Sequence, residues 1–321
     1  MAEFLENLSA GAKDLAEKAK IKNAEQAILT PMAHLLLQES SPHDIYVLKS
    51  SAAKMVAKER IRVSDLLTLP HSMKWSRLSF GCSALDKCTR DGIVTRGITE
   101  FCGISGAGKT QLLLQLSLTV QLPQELGGLA GGVAFICTES SFPSKRLFEM
   151  SKTFAQRYPK LDINYLANVH VEHVLQSEQL LKCVSERLPP LMSSLRIGLI
   201  IIDSVAAVFR TYTNYIERAK DMRKLANYLL HLADKYNCAV ICVNQVATIS
   251  DKQPEVPCLG LSWAHLGRTR MRITKIPKQI QYNDKLLTVR KLEILYSPET
   301  PIEYAEFLIT QQGIVDVPCL K

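Results

Sequence analysis

The chain has 321 residues, of which 47% are hydrophobic and 22% are charged, a balance typical of globular proteins that bury a large core. No stretch reaches the roughly 20 uninterrupted apolar residues that a membrane span needs, and the N-terminus lacks the pattern of a signal peptide, so we expect a soluble, intracellular protein. The formal net charge of +8 favours an anionic partner without specifying nucleic acid.

The nine cysteines are scattered along the chain without a C-x-x-C pair. Several of them lie inside apolar runs, so we expect free, buried thiols in a reducing compartment. Cys82 and Cys88 could be imagined as metal ligands, but no second Cys/His pair completes a set.

Residues 1–57 predict a small, all-helical N-terminal domain. Apolar residues recur there at helical spacing between breakers at Pro31 and at Ser41-Pro42, which indicates three or four short helices. Residues 58–77 are less periodic, and we interpret them as a linker. Within this linker, Val63 to Leu67 either adds as a strand to another subunit or lies along its own core.

A phosphate-binding loop lies near the start of the third region, residues 78–321. The run Gly103-Ile104-Ser105-Gly106-Ala107-Gly108-Lys109-Thr110 fits G-x-x-x-x-G-K-[ST], with a strand-like run before it and a Leu-rich helical run after it. Its glycines let backbone N–H groups converge on phosphate oxygens, while Lys109 adds a cation and the Thr110 hydroxyl a ligand for Mg²⁺. The predicted nucleotide-binding residues of this segment are Gly103, Ser105, Gly106, Ala107, Gly108, Lys109, Thr110 and Gln111.

The rest of the third region alternates strands with helices. Continuous apolar runs such as Val133 to Cys137, Leu199 to Ile202 and Ala239 to Val243 are separated by helical segments. This pattern predicts an α/β fold with a mainly parallel central sheet that is covered on both faces. The tail beyond Thr269 alternates instead, and we expect it to form antiparallel strands at one edge.

Three polar residues follow apolar strands and become candidates for chemistry. Asp203 ends Leu199 to Ile202, as in a Walker B strand, and can reach the metal held by Thr110; its alternative is capping the next helix. Glu139 can orient and partly deprotonate an attacking water, although an acid after a strand is common. Gln245 can sense the γ-phosphate, or it is a solvated loop residue.

Two basic segments are candidates for nucleic-acid contact. Arg210, Tyr212, Tyr215 and Arg218 interleave aromatic rings with cations, which suits single-stranded DNA; a solvated helix face that pairs these cations is equally plausible. Further along, Arg268, Arg270 and Arg272 begin a run with a local excess of basic residues. We interpret it as a phosphate-backbone signal, although charged edge strands also serve only to block aggregation.

Taken in order, these motifs resemble the core of the RecA/RadA-type recombinases and their eukaryotic paralogues. The resemblance rests on four strings and covers about residues 78–315: Gly103 to Thr110, Cys137-Thr138-Glu139, Ile202-Asp203-Ser204 and Asn244-Gln245-Val246. It implies a RecA-like P-loop ATPase core, an ATP and Mg²⁺ site shared between neighbouring subunits, and DNA repair by homologous recombination. The implied location is the nucleus and also the cytoplasm.

The resemblance also implies partners and residue roles. The partners are another paralogue, the C form of the recombinase, in a heterodimer; the recombinase filament; and single-stranded or branched DNA. Lys109 and Thr110 then hold phosphate and Mg²⁺, Asp203 is the Walker B acid, Glu139 positions water and Gln245 senses the γ-phosphate. Arg146 lies where recombinases place an arginine against adenine, and Pro298 belongs to a segment that caps ATP from the adjacent subunit.

Three departures from the family pattern bear on function. The N-terminal hairpin position reads Ser40-Ser41-Pro42-His43, without the glycine that lets phosphate approach backbone amides, which argues against DNA binding by this domain. Both predicted DNA-binding loops, after Asp203 and after Gln245, are short. Tyr296 stands where recombinases usually carry Asp, which alters the cap chemistry.

Two functions from different classes follow. The first is a slow or DNA-dependent ATPase within a paralogue heteromer that binds single-stranded or branched DNA. The second is a non-catalytic structural adaptor in which ATP stabilises the subunit interface. A general P-loop kinase is a third and weaker option, because the sequence shows no acceptor-binding insert.

Overall fold

The computed structural model describes residues 2–6, 8–38, 40–57, 62–68, 75–139, 141–247 and 256–318. The chain divides into two compact units, Met1–Pro70 and His71–Lys321. Parts of the predicted linker, residues 58–61 and 69–74, lie outside the described residues, as do residues 248–255 and Cys319.

The first unit contains short helices. They are α1 (Ala2–Glu6), α2 (Ala10–Lys18), α3 (Ala24–Leu29), α4 (Met32–Leu36), α5 (Pro42–Val56) and α6 (Val63–Thr68). Leu15, Leu35, Ile45 and Leu48 form its buried centre. At the predicted hairpin position, the Ser41 hydroxyl accepts a hydrogen bond from the Asp44 backbone N–H at 3.1 Å and caps α5.

The segment predicted as a possible inter-subunit strand has a different conformation in the single chain. Residues 63–68 form α6, with Asp65 in its first turn, where a carboxylate favours the helix dipole. Strand pairing with another subunit would therefore require this helix to unwind.

The second unit is built on a nine-stranded sheet. Its strands are β3 (Ile98–Cys102), β4 (Gly132–Cys137), β5 (Val169–His173), β6 (Ile197–Asp203), β7 (Ala239–Asn244), β10 (Thr269–Tyr282), β11 (Lys285–Tyr296), β12 (Tyr304–Thr310) and β13 (Gly313–Asp316). The order is β13-β12-β11-β10-β3-β7-β6-β4-β5. Pairs from β10 to β5 are parallel and those from β10 to β13 are antiparallel, which confirms the predicted architecture.

Shorter elements complete the second unit. Two small ribbons pair β1 (Arg77–Leu78) with β2 (Ile93–Val94) and β8 (Val246–Ala247) with β9 (Val256–Pro257). The helices are α7 (Ser83–Cys88), α8 (Lys109–Thr119), α9 (Ser144–Arg157), α10 (Ser177–Lys182), α11 (Leu188–Ser194), α12 (Val205–Phe209), α13 (Tyr215–Tyr236) and α14 (Gly260–Ala264). A π-helical turn, Cys183–Arg187, joins α10 to α11.

Alternate strand residues enter two separate cores, one on each face of the sheet. On β6, Leu199 and Ile201 pack with α8, whereas Ile200 and Ile202 pack with α13. Because successive strand residues point to opposite faces, an apolar run is needed where both faces are covered. These strands therefore lie between two packed layers.

Free thiols are found as expected. The eight cysteines in the described ranges are free, and all but Cys258 are buried. Across those ranges no group of three or more His, Cys, Asp or Glu residues could hold a metal ion. No described helix is both long enough and apolar enough to cross a membrane.

Candidate nucleotide site

The predicted P-loop connects β3 to α8, and its glycines adopt backbone conformations that other residues rarely reach. Gly106 has φ of 70° and Gly108, the N-cap of α8, has φ of 113°. A Cβ atom built on Gly103 would lie 2.2 Å from the carbonyl oxygen of Ile273 on β10. The loop therefore packs tightly on the sheet and leaves its N–H groups, at a helix N-terminus, available for an anion.

Lys109 begins α8 and folds back over the loop. Its Nζ donates hydrogen bonds to the carbonyl oxygens of Gly103 at 2.6 Å and Ile104 at 2.8 Å. Burial lowers the pKa of the Lys109 ammonium, while Asp203 opposes this shift. Phosphate oxygens are better acceptors for an ammonium than carbonyl oxygens, so this side chain is poised to exchange these contacts for a nucleotide.

Asp203, at the end of β6, meets the helix that follows the P-loop. The Thr110 hydroxyl donates to Asp203 Oδ2 at 3.0 Å. Burial raises the pKa of the Asp203 carboxyl, and the Thr110 hydrogen bond counteracts it. Behind them, the Thr138 hydroxyl donates to the Ser204 carbonyl oxygen at 2.7 Å, which fixes the end of β6 against β4. The Thr110 hydroxyl and the Asp203 carboxylate are suitable ligands for a hydrated Mg²⁺ ion.

Glu139, Gln245 and Arg210 form one hydrogen-bonded cluster. The Gln245 Nε2 donates to both carboxylate oxygens of Glu139, at 2.7 and 2.8 Å. Arg210 donates to Glu139 Oε1 at 3.1 Å and to Gln245 Oε1 at 3.0 Å. The sequence predicts that Glu139 and Gln245 lie at one edge of the sheet, but it assigns Arg210 to DNA. Both oxygens of the predicted water-positioning carboxylate are thus already engaged.

A cavity of about 550 Å³ joins these groups. Nearly all predicted residues line it: Gly103, Ser105, Gly106, Gly108, Lys109, Thr110, Gln111, Glu139, Asp203 and Gln245. Ala107 does not, and its side chain is fully buried, so it can contribute only its backbone. Sequence reasoning missed five further lining residues: Ser204, Val243, Val246, Arg290 and Ile309.

The polar groups that line the cavity are chemically suited to a nucleotide with bound Mg²⁺. Ser204 Oγ and Arg290 Nε are buried and have no hydrogen-bond partner among the described residues. Polar atoms in such positions normally find partners, and phosphate oxygens or metal-bound water would supply them. The residues that would hold the group are Lys109, Thr110, Asp203 and the N–H groups of the loop.

Arg146 on α9 borders a second cavity next to the first. Its guanidinium donates to Gln111 Oε1 at 2.9 Å and to the Thr310 carbonyl oxygen at 2.6 Å. Gln111 and Ile309 line both cavities, so a base could extend from the phosphate end toward Arg146. Contact between Arg146 and adenine stays a prediction.

Pro298 is exposed and does not line the cavity of its own chain. The neighbouring Glu299 accepts hydrogen bonds from Arg77 and Arg268, which anchors the segment. Tyr296 donates to the Ala264 carbonyl oxygen at 2.8 Å, and the Arg270 guanidinium lies 5.4 Å from its ring centroid. The capping of a neighbour's nucleotide by Pro298 stays a prediction, whereas Tyr296 stabilises its own chain.

The three arginines predicted to contact DNA, one just before β10 and two on it, are engaged within the chain. Arg268 pairs with Glu299 at 2.6 Å, Arg270 with the fully buried Glu100 at 2.6 Å, and Arg272 with Glu293 at 2.5 Å. The hydrogen bonds from Arg272 lower the pKa of the Glu293 carboxyl. The carboxylates come from distant positions in the sequence, so the local excess of positive charge is neutralised by the fold. These arginines are therefore not free to bind phosphate in the described conformation.

The other predicted DNA contacts behave differently from one another. The Tyr212 hydroxyl donates to Asp221 at 2.9 Å and lies 2.6 Å from the Ser177 hydroxyl, and its ring packs on Phe209. It is therefore not a free stacking platform. Tyr215 is 71% exposed, with the Arg218 guanidinium 4.9 Å from its ring centroid. Of the two tyrosines, only Tyr215 has a face available for a base.

Comparison with known proteins gives a family. The Rad51 family profile matches residues 73–317. The DNA repair protein XRCC3 of Mus musculus is 34% identical over 271 residues, covering 75% of this chain and 76% of that protein. The XRCC3 homologue of Arabidopsis thaliana is 33% identical and covers 75% and 93%, and DNA repair protein rhp57 of Schizosaccharomyces pombe is 31% identical and covers 74% and 78%.

Shorter strings predict which paralogue the chain resembles. Ile136 to Glu139, Val171 to Val174 and Ile202 to Ala207 resemble the third X-ray-repair cross-complementing protein. The matches to XRCC3 proteins confirm that prediction.

Proposed function

Because this chain belongs to the Rad51 family, we propose that it is an ATP-binding recombinase paralogue that acts in homologous-recombination repair of DNA. It acts as one subunit of a heteromer with another paralogue, the C form, and this heteromer binds single-stranded or branched DNA and the recombinase filament. The relatives are named as DNA repair proteins, which supports this role. The proposed location is the nucleus, with a further pool in the cytoplasm.

The observation that carries the nucleotide part of this proposal is the convergence of Lys109, Thr110 and Asp203 on one cavity. Mg²⁺, when bound, neutralises charge on the phosphates and fixes their orientation. The chain's own residues do the rest. Lys109 and the loop N–H groups bind phosphate. Asp203 and Thr110 supply the oxygen atoms that would hold Mg²⁺ or its bound water. Glu139 orients the attacking water and accepts its proton.

Hydrolysis is proposed to be slow or conditional on DNA, because hydrogen bonds from Gln245 and Arg210 already occupy the carboxylate of Glu139. We call this arrangement the lock on Glu139. A carboxylate that already accepts three hydrogen bonds from Gln245 and Arg210 has few lone pairs left to accept a hydrogen bond from an attacking water. Arg210 is mostly exposed and begins the segment predicted to contact single-stranded DNA. A DNA phosphate competes with Glu139 for Arg210, and its binding would release the carboxylate.

Arg210→Met tests the lock. We expect basal ATP hydrolysis by the heteromer to rise about tenfold, since one charge-assisted hydrogen bond contributes ~1.5 kcal/mol, and the stimulation by single-stranded DNA to shrink. The measurement is phosphate release with and without DNA at saturating ATP. Arg187→Met is the matched control, because Arg187 pairs with Glu172 on β5, away from the cavity. A basal rate that stays the same or falls in Arg210→Met contradicts the lock.

The function as a whole is tested by measuring bound nucleotide and ATP turnover for the isolated chain and for its heteromer, each with and without forked DNA. We expect bound nucleotide in both preparations and turnover that rises only when partner and DNA are present. A preparation of the heteromer that neither binds ATP nor retains forked DNA would refute the proposal.

A structural adaptor is the second candidate, favoured by the locked Glu139 and by Tyr296 in the place of the usual Asp. In that case ATP binding matters and turnover does not. We expect Lys109→Ala to reduce partner pull-down about tenfold or more, because it removes a charge-assisted phosphate contact, and Glu139→Gln to leave it unchanged. The opposite ranking of the two variants rules out the adaptor.

A further inference from the structure

Two basic residues face each other across β10 and β11 at the point where the P-loop crosses the sheet. Lys275 and Arg290 are register partners in this antiparallel pair, so their side chains project from the same face. Two positions before Lys275 on β10 and two positions after Arg290 on β11 lie the core residues Ile273 and Leu292. Lys275 and Arg290 therefore lie on the same face of the sheet as these apolar core residues, directly beside them.

Both side chains approach the glycines of the P-loop. A Cβ atom built on Gly106 would lie 3.4 Å from Lys275 Nζ, and one built on Gly108 would lie 3.5 Å from Cδ and Nε of Arg290. Arg290 also lines the 550 Å³ cavity, as does Lys109. The phosphate-binding loop is thus flanked by cations from the sheet in addition to its own lysine.

No carboxylate in the described ranges forms an ion pair with either residue. By contrast, Arg270, Arg272, Lys278 and Lys291 on the same two strands are all paired. Arg290 donates through Nη1 to the Thr288 carbonyl oxygen at 2.6 Å, but its Nε is buried without a partner. Burial lowers the pKa of its guanidinium.

Like charges directly opposite each other on neighbouring strands destabilise a sheet, and a partly buried cation without a counterion adds to that destabilisation. An anion in the cavity would relieve both effects. The nearest described place for one is the P-loop itself, whose N–H groups are arranged for phosphate.

We propose that Lys275 and Arg290 form the sheet-side wall of the nucleotide site and bind phosphate oxygens of the nucleotide held by the P-loop. This inference rests on the proposed nucleotide binding and identifies two residues that the P-loop motif does not contain. Arg290 donates through its guanidinium and Lys275 supplies a mobile ammonium. The wall selects nucleoside di- and triphosphates over adenosine, because only the phosphates compensate the paired charge.

The effect of the Lys275–Arg290 pair on the stability of the protein changes sign when nucleotide binds. Without nucleotide, the pair destabilises the sheet; with nucleotide, it adds to binding. Arg290→Met should therefore leave the melting temperature of the nucleotide-free chain unchanged or raise it, while weakening binding of ATP and ADP about tenfold or more. A purely structural arginine would lower the melting temperature of the free chain.

The experiment measures melting temperature and affinity for ATP, ADP and adenosine with the full-length chain. Lys291→Met is the matched control, because Lys291 is the next residue on the same strand, points to the other face and lies 3.6 Å from Glu293. Arg290→Lys keeps the charge and should retain most of the ATP affinity. Lys275 is exposed, so Lys275→Met tests the same wall without disturbing the core and should weaken ATP binding about threefold or more, like other losses of a charged contact.

The outcomes separate the two proposals. If the wild-type chain is not stabilised by ATP, nucleotide binding and the wall both fail. If it is stabilised, but Arg290→Met or Lys275→Met binds ATP as tightly as the wild type, only the wall is overturned. A lowered melting temperature of nucleotide-free Arg290→Met also overturns it, since the side chain would then support the fold.

Discussion

Glu100→Gln is expected to lower the free energy of unfolding of the second unit by about 3–5 kcal/mol. Glu100 on β3 is fully buried. It accepts hydrogen bonds from Arg270 Nε at 2.6 Å and from Asn244 Nδ2 at 2.7 Å. The neutral amide keeps the volume but leaves the guanidinium of Arg270, which is only 12% exposed, without its counterion.

Urea unfolding followed by tryptophan fluorescence measures this loss in the right unit, because both tryptophans, Trp75 and Trp263, belong to it. Glu293→Gln is the control: its pair with Arg272 is more exposed, so we expect a loss of about 1 kcal/mol or less. The double variant Glu100→Leu/Arg270→Met should recover most of the stability. Equal losses in Glu100→Gln and Glu293→Gln would contradict a role for burial.

Glu139→Gln is expected to reduce ATP turnover about 10²–10⁴-fold, the range over which a positioned general base contributes, and to leave nucleotide affinity within about threefold, since Lys109 and the loop N–H groups supply the phosphate contacts. The amide keeps the shape of the side chain but cannot accept a proton from water. Single-turnover hydrolysis and nucleotide titration on the heteromer measure the two effects separately.

The matched control is Glu172→Gln on β5, whose carboxylate pairs with Arg187 outside the cavity and should not affect turnover. If turnover persists in Glu139→Gln, the hydrolysis belongs to another subunit of the heteromer. If nucleotide affinity falls with turnover, Glu139 is part of the binding site itself.

Much of the site could be predicted from local sequence, because the residues that follow neighbouring parallel strands lie together at one edge of the sheet. Glu139, Asp203 and Gln245 each follow an apolar run, and β4, β6 and β7 are neighbours in the sheet. The register pairs Cys137 with Asp203, so the acids come to one edge. The parallel core and the antiparallel tail follow from the same contrast between continuous and alternating patterns.

Charge pairing could not be predicted in the same way. The basic run that begins at Arg268 suggests one nucleic-acid surface, but the fold divides it between the two faces of the sheet. Arg270 and Arg272 find carboxylates on one side, while Lys275 and Arg290 meet at the P-loop. Which cation is neutralised depends on strand register and on glutamates far along the chain, and no local pattern encodes either. Residues 63–68 show the same limit: a short apolar run suits a strand or a helix equally.

The position of β3 has a consequence for how the chain is made. The P-loop strand lies between β7 and β10, and both are translated long after it: β3 ends at Cys102 and β7 begins at Ala239. At a synthesis rate of ~5–20 residues per second, β3 is made on the order of 10 s before β7 and β10, so both of its edges stay unpaired during that time. During that interval the strand Ile98–Cys102, all of whose residues are buried in the fold, is open to wrong partners. A chain that ends before Thr269 would keep one edge of β3 open permanently, so premature termination anywhere upstream of β10 should yield aggregates rather than a partly active protein.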